Sequence, residues 1–222
     1  EKGKYIPLTR TSAYNSIGNF YAYVTHLCGY KAHKHEGKIT GLAAHGKPVY
    51  RDLLDSFITF KEGAIINQSR SFYYSSLEKL RKQLPSDFKK EDLAASMQKH
   101  LEDVVSKYVK FWVDRSGISN VALVGGVFAN VRLNQVIHEL PNVDKIYVFP
   151  GMGDEGLAVG AAYAEWIKEE QRGNRPVRSY QPKHVYFGRG FEADEIEAAL
   201  KEKELAYEHY DEIEKPVARL LS

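Results

Sequence analysis

The sequence predicts an α/β protein with parallel strand–helix repeats, and three observations carry that expectation. Val121–Val124 is a short apolar run that stops at Gly125-Gly126, and Lys145–Phe149 is a second run followed by Gly151 and Gly153. Each run leads into a segment of helical character, and strand–helix–strand–helix order implies a parallel sheet with right-handed crossovers. The third observation is a stripe of Leu93, Met97, Leu101, Val104, Tyr108 and Trp112 at the helical period, which reads as a long core helix.

The elements follow in order. Ile17, Phe20, Tyr21, Val24, Leu27 and Cys28 recur at spacings of three and four, predicting a helix over residues 14–29 that stops at Gly29. A polar, flexible loop, His33-Lys34-His35-Glu36-Gly37-Lys38, leads into the small-residue stretch Ile39–Gly46, and Pro48 opens another short helix. Phe57–Asn67 reads as a hairpin turning through Lys61-Glu62-Gly63. The longest helix spans Glu91 to about Arg115 and ends at Ser116-Gly117. Then come the strand Val121–Val124, a helix over Phe128–Leu140 stopped by Pro141, the strand Lys145–Phe149, and a helix over Glu155–Glu170.

Residues 1–170 are therefore expected to form one segment. Residues 171–182, basic and interrupted by Pro and Gly, read as a linker. Beyond it, His184–Phe187 and Leu205–Tyr210 are strand candidates, and Ala193–Leu200 and Ile213–Leu221 are helix candidates. A stretch of about 40 residues is too short for a core of its own. Residues 183–222 are thus expected to begin a second α/β domain that the chain does not complete.

Composition narrows the function classes. Hydrophobic residues make up 43% and charged residues 27% of 222, so a substantial core is expected. Lys and Arg number 31 against 29 Asp and Glu, a balance that argues against a nucleic-acid surface. The single cysteine, Cys28, excludes an internal disulfide framework, fits a reducing cytoplasm, and reads as a buried, inert thiol. No apolar run approaches the roughly 18–20 residues that cross a bilayer, and the Glu-Lys-Gly-Lys-Tyr start has no signal-peptide core. The chain is accordingly expected to be a cytoplasmic protein, and its first residue, not being Met, suggests an internal segment.

Two glycine turns carry the chemistry. Glycines after a strand let backbone N–H groups approach an anion, and a following helix start adds partial positive charge. In open parallel sheets ligands sit outside the carboxyl ends of the strands, where both Gly125-Gly126 and Gly153 fall. Gly125-Gly126 can alternatively serve close helix–strand packing. Asn130, one turn into the next helix, can reach a phosphate or be a tolerated polar residue. Asp154 reads either as a helix N-cap or as the carboxylate of a divalent metal held beside phosphate. Lys38 can hold phosphate as a point charge or be a solvated side chain. His33, His35 and His45 match no compact zinc spacing and read as loop histidines. Gly-x-Ser-x-Gly and the P-loop pattern are both absent, which excludes those enzyme classes.

Four motifs occur in order over residues 12–165: Ser16-Ile17-Gly18; His35-Glu36-Gly37-Lys38 with Gly41-Leu42-Ala43-Ala44-His45-Gly46; Gly125-Gly126-Val127-Phe128-Ala129-Asn130; and Gly153-Asp154-Glu155-Gly156-Leu157-Ala158-Val159-Gly160-Ala161-Ala162. Together they resemble the O-carbamoyltransferases of antibiotic and nodulation-factor biosynthesis. The resemblance implies an actin/hexokinase-like (ribonuclease H-like) ATPase half with a mixed sheet, related to the proteins that make threonylcarbamoyladenosine in tRNA. It implies an enzyme using ATP and carbamoyl phosphate to form carbamoyl-adenylate, then passing carbamoyl to a hydroxyl of a sugar or antibiotic-like acceptor. By similarity, Gly18, Glu36 and Lys38 lie on the nucleoside side. Gly125, Gly126, Asn130 and Gly153 hold phosphate, and Asp154 binds a divalent metal: iron, manganese or magnesium.

No membrane or nucleic-acid partner is implied, a homodimer is compatible, and the catalytic residues stay unassigned. Two departures stand out: the His-x-x-x-His pair that would accompany Asp154 and the Phe-Gly-Pro-Arg-Ala-Leu-Gly stretch of the C-terminal domain are both missing from the 222 residues. The chain therefore reads as the middle of a longer enzyme, incomplete for transfer by itself; a non-catalytic nucleotide-binding or interaction module is the alternative from another class. Asn19 stands where the tRNA-modifying relatives carry an acidic residue, which counts against that branch.

Overall fold

The computed structural model describes residues 6–177 and 184–222. The chain divides into two compact units, residues 1–178 and 179–222. In the first, a single turn of 3-10 helix at Ala13–Asn15 precedes α1 (Ile17–Leu27). The predicted helix start at residue 14 thus moves to Ile17, because the chain is extended at Ser16 (φ −75°, ψ 119°). Then come α2 (Glu36–Ala43), α3 (Arg51–Phe57), the hairpin strands β1 (Ile58–Lys61) and β2 (Ala64–Asn67), and α4 (Tyr74–Gln83). The long helix α5 (Lys90–Ser116) leads to β3 (Asn120–Leu123), α6 (Val131–His138), β4 (Lys145–Val148) and α7 (Gly156–Arg172).

Helix α5 organises the core. At 27 residues it is about 40 Å long, and Gly117 closes it in the left-handed region at φ 68°, a conformation that favours glycine. Leu93, Met97, Leu101 and Val104 are buried as the stripe predicts, whereas Tyr108 and Trp112 are half-buried. Trp112 Nε1 donates to Gly63 O at 2.9 Å, tying the hairpin turn to α5. Burial also extends beyond the stripe to Ala94, Ala95, Ser96, Gln98, His100 and Glu102. Gly46, just after α2, lets the chain come close to the start of α5: a Cβ there would stand 2.0 Å from Glu91 O. Helix α4 was not anticipated, although Leu77, Leu80 and Leu84 recur at spacings of three and four and are buried.

The predicted parallel repeat forms. Strands β3 and β4 pair in parallel with Asn120 opposite Lys145 and Leu123 opposite Val148, and α6 connects them. Leu133 and Ile137 bury the inner face of α6 completely. The mixed sheet is not observed: the described residues hold one antiparallel pair, β1–β2, and one separate parallel pair, β3–β4.

In the second unit, α8 (Ala193–Glu202) and α9 (Glu214–Leu221) match the predicted helices. A reciprocal capping box between Glu192 and Glu195 starts α8. The strands expected at His184–Phe187 and Leu205–Tyr210 do not form. Neither segment finds a ladder partner, and Tyr186, Phe187 and Leu205 are exposed. The linker expected over 171–182 begins inside α7, and its residues 178–182 lie outside the described ones.

Candidate functional site

A cavity of about 740 Å³ opens in the first unit where several elements begin. Its walls come from the start of α1 (Ser16, Gly18, Asn19), the start of α2 (Glu36, Gly37), the first glycine turn (Gly126, Val127) and the second (Gly153, Asp154, Glu155). Element starts carry unpaired N–H groups and the positive end of the helix dipole, so their convergence favours an anionic ligand.

The first glycine turn is a single turn of 3-10 helix, Gly126–Ala129, rather than the direct opening of an α-helix. Gly125 stands before it at φ 108°, ψ 150°, a region open to little besides glycine. Its N–H donates to Met152 O at 2.7 Å, so this amide stitches the two turns together and is not free for a ligand. Phe128 and Asn130 donate to Gly125 O and Val127 O. Among the described residues, the N–H groups of Gly126 and Val127 find no acceptor. A Cβ at Gly126 would meet nothing within 4 Å, whereas one at Gly18 would press on Val127 Cγ2 at 3.1 Å. Gly18 is thus needed for the close approach of α1 to the turn, and Gly126 leaves its space to the cavity.

Asn130 is not inside the following helix but caps it: Oδ1 accepts from Leu133 N at 3.0 Å. Its amide nitrogen donates to Gln98 Oε1 at 2.8 Å and to Thr40 Oγ1 at 3.4 Å. Both side-chain N–H groups are thereby engaged by protein, which removes Asn130 as a spare phosphate donor.

The second turn holds Asp154 exposed on the cavity wall; its carbonyl accepts from Leu157 N at 3.1 Å, while its carboxylate makes no hydrogen bond or ion pair among the described residues. Asp154 does not cap α7; Glu155 occupies that position. Gly156 packs so close to the preceding loop that a Cβ there would stand 2.2 Å from Gly151 O. The described residues contain no group of three His, Cys, Asp or Glu able to hold a metal.

Glu36, expected in a flexible loop, is the first residue of α2, and its Oε1 accepts the His33 N–H at 2.6 Å. Lys38 does not line the cavity; its ammonium lies over the Tyr30 ring, 5.4 Å from the centroid. Lys34 lines it instead, four residues earlier, a cation that motif reading passed over. His33 also lines the wall, His35 accepts from Lys31 N through Nδ1, and His45 lies outside the lining. Of the predicted residues, Gly18, Glu36, Gly126, Asn130, Gly153 and Asp154 meet at one cavity, while Gly125 acts behind it.

A polar layer runs inward from the wall, where Tyr21, Thr40 and Asn130 line the cavity. Tyr21 OH donates to Gln98 Oε1 at 2.9 Å and stands 2.9 Å from Thr40 Oγ1. Burial pushes the Tyr21 hydroxyl up to about 12, so it stays protonated and serves as a donor. Cys28 is buried and likewise pushed up to about 11 by burial, an inert thiol as predicted. No helix among the described residues is long and apolar enough to cross a membrane.

Comparison with known proteins shows which sequences the chain resembles. A family model described as carbamoyltransferase N-terminus matches residues 1–163. An uncharacterized protein of Methanocaldococcus jannaschii is 31% identical over 209 residues, covering 89% of this chain and 33% of its own length. Nodulation protein NolNO of Sinorhizobium fredii is 28% identical over 214 residues, 94% of this chain and 30% of the relative. A tRNA N6-adenosine threonylcarbamoyltransferase of Lacticaseibacillus casei is 33% identical over 96 residues, 39% of this chain and 28% of the relative. The chain thus spans about a third of the length of these relatives.

Proposed function

The chain belongs to the carbamoyltransferase N-terminal family, and from that premise we propose that its cavity is the nucleotide-binding part of an ATP-dependent O-carbamoyltransferase. The supporting observation is the pair of free amides, Gly126 and Val127, on a cavity where the starts of α1 and α2 and both glycine turns converge. A volume of about 740 Å³ accommodates a nucleotide. The amides and Lys34 take the phosphates, while Gly18 and Glu36 border the nucleoside side.

Asp154 and Glu155 would repel a bare polyphosphate, so the ligand enters with a divalent cation. Magnesium needs only one or two carboxylates when phosphate oxygens and waters complete its shell, and Asp154 meets that requirement. Iron or manganese held by protein alone needs partners that these residues do not supply, and no step is assigned to such a centre. In the whole enzyme, water would cleave carbamoyl phosphate to carbamate and phosphate, and the carbamate oxygen would then attack the α-phosphorus of ATP, giving carbamoyl-adenylate and releasing pyrophosphate. The acceptor hydroxyl of a sugar or antibiotic-like molecule would then attack the carbamoyl carbon, losing its proton and releasing AMP.

The 96-residue match to a threonylcarbamoyltransferase supports a second reading, a tRNA-directed relative. It is disfavoured by the even charge balance and by Asn19, whose amide donates to Ala13 O at 2.9 Å rather than presenting a carboxylate to the cavity. Calorimetric titration of ATP into the chain with and without Mg²⁺ tests the proposal. Saturable, Mg²⁺-dependent heat that Asp154→Ala reduces is expected; no heat at millimolar ATP overturns it.

A further inference from the structure

The polar layer that Tyr21, Thr40 and Asn130 bring to the cavity wall is centred on Gln98 of α5, which no motif singled out. Gln98 is only 6% exposed. Its Oε1 accepts from Tyr21 OH (2.9 Å) and Asn130 Nδ2 (2.8 Å), and its Nε2 donates to Glu102 Oε1 (2.9 Å) and Asn130 Oδ1 (3.3 Å). A primary amide offers two acceptor sites and two donors, so all four are filled. The Asn130 amide is equally saturated, by Gln98 twice, Leu133 N and Thr40 Oγ1. The two amides form a reciprocal pair, and each fixes the rotamer of the other. Glu102, 6% exposed, completes the line with the Arg132 guanidinium 3.7 Å away.

This layer joins four elements: α1 through Tyr21, α2 through Thr40, α5 through Gln98 and Glu102, and α6 through Asn130 and Arg132. Asn130 is also the residue at which the Gly126–Ala129 turn ends. A side chain with no free donor cannot bind the ligand directly, yet it can set where the turn's free amides stand. We infer that Gln98 is a positioning residue, which holds Asn130 so that the Gly126–Val127 amides face the cavity in a fixed geometry. The inference rests on the nucleotide reading for its consequence, but not for its mechanical part.

Gln98→Met keeps the volume and removes all four hydrogen bonds. Replacing Gln98 by Glu together with Glu102 by Gln (Q98E/E102Q) restores an acceptor toward Tyr21 and Asn130 and a donor from position 102. Two readouts are applied to the whole chain: amide hydrogen exchange at Phe128, Asn130 and Leu133, and ATP affinity with Mg²⁺. For Q98M the expected result is faster exchange at those three amides, against unchanged exchange at the buried α6 residue Ile137. ATP affinity falls about tenfold, with partial recovery of both in the double variant.

A purely structural role would lower the melting temperature and raise exchange uniformly, and that pattern overturns the inference. Unchanged exchange at Leu133 in Q98M also overturns it. If Q98M does not fold, the double variant carries the test: exchange at the three amides must stay closer to wild type than in Tyr21→Phe combined with Asn130→Ala. If wild type binds no ATP, the functional proposal fails by itself, and the exchange data still decide whether Gln98 holds the turn.

Discussion

Substituting the two adjacent glycines of the first turn one at a time separates stability from binding. At Gly125 the backbone sits at φ 108°, ψ 150°, where an L side chain costs about 1–3 kcal/mol. For a unit of this size, Gly125→Ala should lower the melting temperature by roughly 2–12 °C. The Gly125 N–H bond to Met152 O, 2.7 Å, leaves no alternative conformation that keeps the two turns joined. Gly126 is different. It has no positive φ, and a Cβ would meet nothing within 4 Å. Gly126→Val should therefore stay within about 0.5 kcal/mol of wild type. The new methyl groups would stand beside the two free amides. Losing one charge-assisted hydrogen bond to phosphate costs about 1.5–3 kcal/mol, roughly a 10- to 150-fold loss in ATP affinity. Differential scanning fluorimetry measures the first effect and calorimetric titration of Mg·ATP the second. Wild-type heats for Gly126→Val would refute the phosphate role of this turn, and a wild-type melting temperature for Gly125→Ala would refute the strain argument.

Two further outcomes follow from the same geometry. Lys34→Ala should weaken Mg·ATP binding several-fold, whereas Lys38→Ala should leave it near wild type, because only Lys34 lines the cavity; equal effects in titration would undo that assignment. His100 is buried, its Nε2 lies 2.7 Å from Ile58 O, and burial holds its pKa below the ordinary 6.5. The unfolded chain then binds more protons below pH 6.5, so this contribution is complete above that pH and is lost on acidification, by at most about 1.4 kcal/mol per pH unit. Urea unfolding of wild type and His100→Gln between pH 7.5 and 5.5 should show a shallower decline in the variant; parallel declines would exclude His100 as the source.

What the sequence disclosed follows a physical divide. Apolar periodicity reports local geometry and a single buried face, so the α5 stripe, the β1–β2 hairpin and the β3–α6–β4 repeat were all legible. Glycine turns report backbone approach, so the Gly125-Gly126 and Gly153 pair pointed to one cavity. Side-chain partnership across the sequence leaves no periodic trace. Asn130 was read as a phosphate contact because its partners, Gln98 and Thr40, lie 32 and 90 positions away. The strand candidates His184–Phe187 and Leu205–Tyr210 failed for a related reason: a strand needs a neighbour, and local propensity cannot supply one.

One signal for Gln98 was nevertheless present. Ala94-Ala95-Ser96 inside the long helix marks a second, close-packed face, and Gln98 and Glu102 lie four apart next to it. A helix buried on more than one face must pair whatever polar side chains it carries there, because an unpaired buried amide or carboxylate is costly. Gln98 and Glu102 meet that requirement with each other, with Tyr21 from α1 and with Asn130 at the start of α6. The polar residues that look least functional on α5 are thus the ones that reach the turn whose amides remain free.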